Sequence, residues 1–314
     1  MRVHFLFLDG VGLAPADPAR NPLARAVMPN LQALLGGRRL VTGSAPPETE
    51  RATVVPLDAC LGVDGLPQSA TGQATLLTGR NLPLELGYHY GPKPNAPIAS
   101  YLRNGNLFKT LAAGGHRAAL LNAYPPAYFE AIASGRRLYS AIPLAATSAG
   151  LSLKTAADLF AGRAVSADFT GQGWRERLNY PETPLLEPED AGVHLARLAE
   201  EYDFSMFEFW MSDYAGHHQD MAAASDLLAT FDRVLGGLLA AWNDDAGVLL
   251  ITSDHGNIED LNTRGHTTNV VPALLIGSQP ARRSLAASLH SLTDVAPGIE
   301  RLVTMGAARN AQQA

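Results

Sequence analysis

The 314-residue chain has a mean hydropathy near zero, with 46% hydrophobic and 17% charged residues, so it can bury a large core. Its formal net charge of −6, without any block of Lys or Arg, excludes the basic stripe that binds nucleic acid or an anionic membrane. Cys60 is the only cysteine, which excludes an internal disulfide and a thiolate metal cluster. The opening apolar run lasts only about six residues before Asp9, too short for a signal peptide or a membrane span, so we expect a cytoplasmic protein.

Short apolar runs that end in polar residues recur along the chain. The first, RVHFLFLDG at 2–10, ends in Asp-Gly and is typical of a buried parallel strand that stops at a functional loop. Similar runs predict strands in four later segments: HRAALLNAYP (116–125), FSMFEFWMSD (204–213), AGVLLITSDHGN (246–257) and NVVPALLIG (269–277). Helical patterns lie between them at 106–115, 191–203 and 225–244.

This alternation of strands and helices indicates the α/β class, with a central, largely parallel sheet covered by helices on both faces. We expect one domain over 1–314, because no Gly/Ser-rich or Pro-rich linker divides the chain into halves. The Ala-, Pro- and Gly-rich segment from about 126 to 190 breaks the alternation. We expect this segment to form a small inserted cap or excursion.

Asp and His side chains gather where the predicted strands end, the edge at which open α/β sheets bind ligands. Asp213 and His217 are four residues apart and share one face if a helix begins at Asp213. Asp254 and His255 are adjacent, so they reach one centre, or divide between two, only where the strand gives way to a loop. His266 lies in the loop before the last predicted strand. Carboxylate and imidazole donors suit Zn²⁺, Mn²⁺ or Fe²⁺, although each pair alone is also typical of a structural cap.

Ser69 follows Pro67 in LPQSATGQATLLTGR (66–80) and opens a helical run. One interpretation is an N-cap serine whose hydroxyl accepts hydrogen bonds from the first amides of the helix. The other is a nucleophile, because the positive end of a helix favours an alkoxide and any phosphate attached to it. Both interpretations require the same residue at the same place, and both stay open.

Five motifs in chain order resemble the alkaline phosphatase superfamily of two-metal phosphoryl and sulfuryl transfer enzymes, most closely cofactor-independent phosphoglycerate mutase and phosphopentomutase. The motifs are FLDGVG, SATGQATLLTGR, DYAGH, DHGN and HTTN. The resemblance implies an alkaline phosphatase-like fold, two divalent metal ions, Zn or Mn, and Ser69 as the nucleophile. It implies one metal held by Asp9, Ser69, Asp254 and His255 and a second held by Asp213, His217 and His266.

The chain departs from those mutases at Gln73, where they carry a histidine, and it has no Arg-x-Asp-Arg string like that of their larger inserted domain. A mutase must exclude water under a closing cap, and this chain has room for only a small one. We therefore expect hydrolysis of a small-molecule phosphate ester through a phosphoserine intermediate. The alternatives are a phosphosugar or phosphoglycerate-type mutase and a catalytically inactive metal-binding or scaffold homologue.

Candidate substrate contacts come from the nucleophile helix, the loop that follows it and a strand end: Gln73, Arg80, His89, Lys93 and Asn122. The loop GYHYGPKPN at 87–95 could place polar groups over the site, or be a solvated loop whose tyrosines pack on the core. The oligomeric state stays open.

Overall fold

The computed structural model describes residues 1–313, with side chains described through residue 305. The strands are β1 (Arg2–Leu8), β2 (Ala52–Leu57), β3 (Ala118–Leu120), β4 (Ala123–Tyr124), β5 (Lys154–Thr155), β6 (Phe204–Phe209), β7 (Gly247–Thr252) and β8 (Val271–Ile276). The helices are α1 (Pro22–Arg25), α2 (Pro29–Leu34), α3 (Ser69–Thr78), α4 (Leu82–Leu86), α5 (Ala96–Asn104), α6 (Leu107–Ala113), α7 (Pro126–Ala133), α8 (Ala141–Ser148), α9 (Ala156–Phe160), α10 (Gln172–Glu176), α11 (Pro188–Ala199), α12 (Met211–His218), α13 (Met221–Ala241), α14 (Gln279–Ala286) and α15 (Val295–Gln313). A single 3₁₀ turn, Leu292–Asp294, precedes α15.

Six of these strands form the main sheet, in the order β2-β8-β7-β1-β6-β3. β7, β1, β6 and β3 are parallel neighbours, whereas β8 runs antiparallel to both β7 and β2. Helices α3, α5, α6, α8, α14 and α15 cover one face, and α1, α2, α11 and α13 cover the other. The predicted α/β class with a largely parallel sheet is therefore confirmed.

Alternation along β1 decides which side chains enter each half of the core. Phe5 and Phe7 are buried in the half that contains α3, whereas Leu6 and Leu8 are buried in the half that contains α13. A strand buried on both faces requires a continuous apolar run, which is what RVHFLFL supplies. Because β1 pairs with β7 on one side and β6 on the other, the carboxyl ends of these three strands meet.

We expected 269–277 to form another parallel strand. The strand in this segment, β8, instead runs antiparallel to both of its neighbours. The connection from β7 to β8 contains no helix over 253–270, whereas parallel neighbours need a long crossover, which is usually helical. The chain instead turns back at the carboxyl edge and returns beside β7. This return keeps the loop that bears His266 at the edge where β7 ends.

The strand expected over 116–125 is interrupted at Asn122. The Asn122 side-chain amide donates to the Glu208 carbonyl at 2.8 Å, and its oxygen accepts from the Glu208 backbone amide at 2.7 Å. The side chain thus replaces backbone pairing with β6, and the chain leaves the main sheet after β3. β4 pairs with β5 in a second, two-stranded sheet.

The three predicted helices are present as α6, α11 and α13, with ends that differ from the predicted ranges by up to four residues. β2 was not predicted, because Pro56 lies within it and proline is confined to edge strands. No helix among the described residues combines the length and the apolar character that crossing a bilayer requires.

The segment 126–190 packs partly into the main core. Ile142 and Leu144 of α8 are buried in the half of the core that contains α3, α5 and α6. The later part of the segment forms a small cluster of its own, with Leu159 and Trp174 buried in it. This excursion therefore lies against the sheet and its helices.

Candidate metal centre

Three strand ends bring acidic and histidine side chains to one point. Asp9 follows β1, and Asp254 and His255 follow β7. Asp213 lies in the first turn of α12, just after β6. His255 Nε2 lies 3.3 Å from Asp9 Oδ1 and 3.6 Å from Asp254 Oδ2. Donor atoms of Asp9, Asp213 and His255 all lie within 4.8 Å of one another, close enough to share one cation.

A second group of donors lies beside the first, on α12 and the loop before β8. Asp213 Oδ2 lies 3.2 Å from His217 Nε2, and Asp213 Oδ1 lies 3.6 Å from His266 Nε2. The donor atoms of these three residues also lie within 4.8 Å of one another. The His255 and His266 rings stack with their centroids 3.7 Å apart, so the two donor groups are adjacent. The structure thus brings all the predicted ligands together, and Asp213 lies near both groups.

Two of the histidines present Nε2 to the carboxylates because a backbone carbonyl holds Nδ1. His217 Nδ1 lies 2.6 Å from the Arg264 carbonyl oxygen, and His266 Nδ1 lies 2.6 Å from that of Pro67. A carbonyl oxygen only accepts hydrogen bonds, so Nδ1 carries the proton and Nε2 keeps its lone pair. Metal-binding histidines are commonly oriented by a hydrogen bond of this kind.

Ser69 is the first residue of α3, and its hydroxyl joins the first donor group. Ser69 Oγ lies 3.1 Å from His255 Nε2. The N-cap residue of α3 is Gln68, and its side chain makes no capping hydrogen bond, so the N-cap interpretation of Ser69 is wrong. Helix α3 approaches the end of β7 closely at Gly72, where a Cβ would lie 2.8 Å from the Asp254 carbonyl oxygen. This close approach brings Ser69 to the metal centre.

The first donor group carries buried negative charge that its hydrogen bonds do not neutralise. Burial raises the pKa of Asp254 well above its ordinary value, and the nearby Asp9 raises it further. Burial likewise raises the pKa of Asp9, and His255 opposes that shift. Asp9 Oδ1 and Asp254 Oδ2 are buried and accept no hydrogen bond. Such oxygens beside imidazole Nε2 atoms fit a divalent cation, and the mixture of oxygen and nitrogen donors suits Zn²⁺ or Mn²⁺.

Asn257 and Glu259 hold the loops that carry the ligands. Asn257 Nδ2 donates to Asp213 Oδ1 at 2.6 Å. Glu259 Oε2 accepts from the backbone amides of Gly12 at 2.9 Å and Asn257 at 2.8 Å, and Oε1 accepts from the Thr267 hydroxyl. Glu259 therefore ties together the loops after β1 and β7 and the loop before β8. Sequence analysis missed both residues, although Asn257 closes the DHGN motif that could have indicated it.

A cavity of about 610 Å³, called the site cavity below, opens onto Ser69 and Asp9. Gln73 and Lys93 line it, and Gln73 Nε2 donates to Asp9 Oδ2 at 3.2 Å. Asn122 also lines the site cavity, but its amide is occupied by the backbone of β6. Of the predicted substrate contacts, Gln73 and Lys93 are therefore the two whose position suits that role.

Two other predicted substrate contacts are corrected. Arg80 lies beyond the far end of α3, where its Nε is 2.8 Å from the Glu85 carboxylate. A helix of this length separates its ends by roughly 15 Å, so Arg80 cannot meet a group held at Ser69. His89 Nε2 lies 3.3 Å from the Val63 carbonyl oxygen. Neither Arg80 nor His89 lines the site cavity.

Several residues of the site cavity were not predicted, among them Glu208, Arg137 and Trp210. Burial raises the pKa of Glu208 to about 8, the charge on Asp9 adds to this shift, and Arg137 opposes it. The Arg137 guanidinium lies 4.9 Å from the centre of the Tyr128 ring. A carboxylate within the apolar strand FSMFEF was a signal for Glu208, since such residues are rarely buried without a function. Arg137 lies in the excursion, where no motif marks it.

The chain shares its fold with solved structures that include alkaline phosphatases. A protein from Pyrococcus horikoshii shares the fold with a TM-score of 0.58 and 16% identity, covering 96% of each chain. The alkaline phosphatase from the Antarctic bacterium TAB5 matches with a TM-score of 0.55 and 12% identity, covering 96% of this chain and 97% of that one. At such identities the likeness establishes the fold alone.

Sequence comparison matches part of this chain to a known family and to curated relatives. The family model described as the Metalloenzyme superfamily matches residues 183–306. The 2,3-bisphosphoglycerate-independent phosphoglycerate mutase of Desulforudis audaxviator is 38% identical over 125 residues, which cover 38% of this chain and 24% of that protein. The enzyme of that name from Rhodopseudomonas palustris is 38% identical over 132 residues, 40% of this chain and 25% of that protein. The match spans about a quarter of the length of these curated relatives. Residues 183–306 therefore resemble the Metalloenzyme superfamily, and the chain shares the fold of alkaline phosphatases.

Proposed function

We propose that this protein is a metal-dependent phosphatase that transfers the phosphoryl group of a small phosphate ester to Ser69 and then to water. The observation that carries the proposal is the position of the Ser69 hydroxyl, 3.1 Å from His255 Nε2 and at the N-terminus of a ten-residue helix. A phosphate attached to Ser69 meets the positive end of that helix. Bound divalent ions supply Lewis-acid stabilisation of the phosphoryl oxygens and lower the pKa of the attacking hydroxyl.

The residues that hold the ions follow from the two donor groups. One ion is assigned to Asp9, Ser69, Asp254 and His255, and the other to Asp213, His217 and His266. Zn²⁺ and Mn²⁺ are the proposed ions, because both accept mixed carboxylate and imidazole donors. The proposed compartment is the cytoplasm, since the single cysteine forms no internal disulfide.

The chain's own groups account for the two chemical steps. Ser69 Oγ forms a bond to phosphorus while the bond from phosphorus to the ester oxygen breaks, and the alcohol leaves with a proton. Water then attacks the phosphoserine, releases inorganic phosphate and restores the Ser69 hydroxyl. Lys93 and Arg137 line the site cavity, so they add positive charge where a dianionic ester must bind.

Hydrolysis is proposed over transfer to a second hydroxyl of the same substrate because the site cavity is open to water. The excursion at 126–190 packs partly into the main core, and Trp210 at the cavity wall is 43% exposed. A mutase needs a cover that excludes water while it holds its dephosphorylated intermediate. We propose that the excursion serves as a small rim to the cavity. A phosphomutase is the second candidate, favoured by the name that the matched relatives share.

The test is a screen of p-nitrophenyl phosphate, bis-p-nitrophenyl phosphate and sugar phosphates with Mn²⁺ and Zn²⁺. The wild type is expected to hydrolyse at least one monoester, and Ser69→Ala is expected to lower kcat by on the order of a thousandfold or more. Ser100→Ala, an exposed serine of α5, is the matched control and should keep full activity. Hydrolysis that survives Ser69→Ala unchanged would exclude Ser69 as the nucleophile. Isomerisation of a sugar phosphate without release of inorganic phosphate would favour the mutase.

A further inference from the structure

The site cavity adjoins a second cavity of about 420 Å³, called the aromatic groove below. The two cavities share wall residues, which are Ala167, Trp174, Leu178 and Trp210. The aromatic groove therefore lies beside the site cavity, at the wall that these four residues form. Ser69 does not line the groove. The chemistry at Ser69 therefore does not explain why the lining of the groove is apolar.

Large apolar side chains are exposed where the two cavities meet. Trp210 is 43% exposed, Leu178 is 44% exposed and Tyr214 is 51% exposed. Trp210 and Tyr214 are in edge-to-face contact, with ring centroids 6.4 Å apart. Exposed apolar side chains that gather at one place mark a binding surface, whereas isolated ones are ordinary. These three lie at the mouth of the site cavity or the groove.

The floor of the aromatic groove is a rigid stack of aromatic rings. Phe169 stacks on Phe209 with ring centroids 4.9 Å apart, and Phe209 stacks on Phe231 at 5.9 Å. The acidic side chains of the groove already have partners. Asp168 accepts from the Gly173 amide at 2.6 Å, and Glu176 accepts from a neighbouring glutamine side chain at 2.8 Å. The three stacked rings are only 2–4% exposed, so Trp210 and Leu178 offer the exposed apolar surface of the groove, and its acidic groups are occupied.

We propose that the aromatic groove binds the part of the substrate that is not transferred, and that this part carries a planar aromatic or heteroaromatic ring. The inference rests on the proposed function, because it takes Ser69 as the place where the phosphoryl group is transferred. Trp210 is the central contact, since it belongs to both cavities and its ring is exposed. Aromatic rings pack favourably edge-to-face or offset against such side chains.

The first test compares esters that differ in the distal group but share the same type of leaving group. 2-Phenylethyl phosphate, 2-cyclohexylethyl phosphate and n-butyl phosphate all release a primary alcohol, so their intrinsic reactivities are matched. The inference predicts that kcat/KM for the phenyl ester exceeds that for the butyl ester by about tenfold or more, mainly through KM. It predicts a smaller advantage for the cyclohexyl ester, because that group is apolar but not planar. Equal kcat/KM for all three esters would overturn the inference and leave the proposed phosphatase intact.

The second test replaces Trp210, which lines both cavities. Trp210→Ala is expected to remove most of the preference for the phenyl ester, measured as the ratio of kcat/KM for the phenyl ester to kcat/KM for n-butyl phosphate. Trp210→Phe keeps an aromatic ring and should restore most of the preference. Tyr88→Ala, an exposed tyrosine that lines neither cavity, is the control and should leave the preference unchanged. An undiminished preference in Trp210→Ala would remove Trp210 from the proposal.

Binding of non-hydrolysable ligands separates this inference from the proposed function. The Kd of 2-phenylethylphosphonate should be about tenfold lower than that of n-butylphosphonate for the wild type and similar to it for Trp210→Ala. If no ester is hydrolysed but this difference in Kd is found, the phosphatase proposal fails and the aromatic groove stands as a binding site. If the two Kd values are equal, the groove does not recognise rings.

Discussion

The buried histidines of this protein lie in two electrostatic environments. His255 is surrounded by carboxylates, and burial lowers its pKa less than Asp254 and Asp9 raise it, to about 10. His4 lies in the middle of β1, where its Nδ1 is 2.8 Å from Ser205 Oγ and no carboxylate balances its burial. Burial lowers the pKa of His4 to about 3, with the hydrogen bond to Ser205 opposing. His4 is therefore a neutral core residue, whereas His255 belongs to a charged site.

The environment of His4 predicts a loss of stability in mild acid. Unfolded His4 titrates near 6.5 and folded His4 near 3, so in this range the unfolded state binds a proton that the native state does not. The contribution of neutral His4 to the free energy of unfolding is fully present above pH 6.5, and it is lost as the pH decreases toward 3. Between pH 7 and pH 5 the wild type should lose about 2 kcal/mol more unfolding free energy than His4→Gln. Urea unfolding of both proteins at the two pH values measures this difference, and parallel losses would contradict it.

The packing of α3 against the end of β7 positions Ser69, the proposed nucleophile. Gly72 lies one turn after Ser69, and the absence of a side chain there lets the helix approach the Asp254 backbone. Gly72→Ala should push α3 away and move the Ser69 hydroxyl from His255. We expect a loss of about 1–3 kcal/mol in unfolding free energy and at least about a tenfold loss in kcat. Thermal unfolding and phosphatase assays check this.

The control for Gly72→Ala is Gly105→Ala. Gly105 follows α5, its backbone is extended, and a Cβ there would meet no atom within 4 Å. This variant should keep both its stability and its activity. Wild-type activity in Gly72→Ala would show that the close approach of α3 does not position Ser69.

Apolar periodicity was sufficient to predict β1, β6, β7 and β8 and the helices α6, α11 and α13, because it reports burial directly, but it missed β2 and α15. It could not predict the direction of β8, since strand direction depends on whether the connection crosses over or turns back. It missed the break at Asn122, because a side chain there replaces backbone hydrogen bonds. It could not decide whether Ser69 is an N-cap residue, because the residue at which α3 begins is set by the backbone, which makes Gln68 the N-cap.

At the scale of the whole molecule, the sheet order gathers ligands that are distant in sequence. Asp9 and His266 lie near opposite ends of the chain, yet both stand at the carboxyl edge of the β7-β1-β6 core. The clustering of the candidate metal ligands was predictable because the ends of parallel strands meet at one edge and motifs mark those ends. The walls of the site cavity were not, since Arg137 and Trp174 lie in the excursion, whose path depends on tertiary packing.

Two adjacent donor groups are proposed to hold two divalent ions beside Ser69. The most direct measurement is an anomalous difference map from a crystal of the protein prepared with Mn²⁺, recorded near the manganese absorption edge. The account predicts two peaks, one contacting Asp9, Asp254 and His255 and the other contacting Asp213, His217 and His266. A single peak, or peaks at neither donor group, would contradict it.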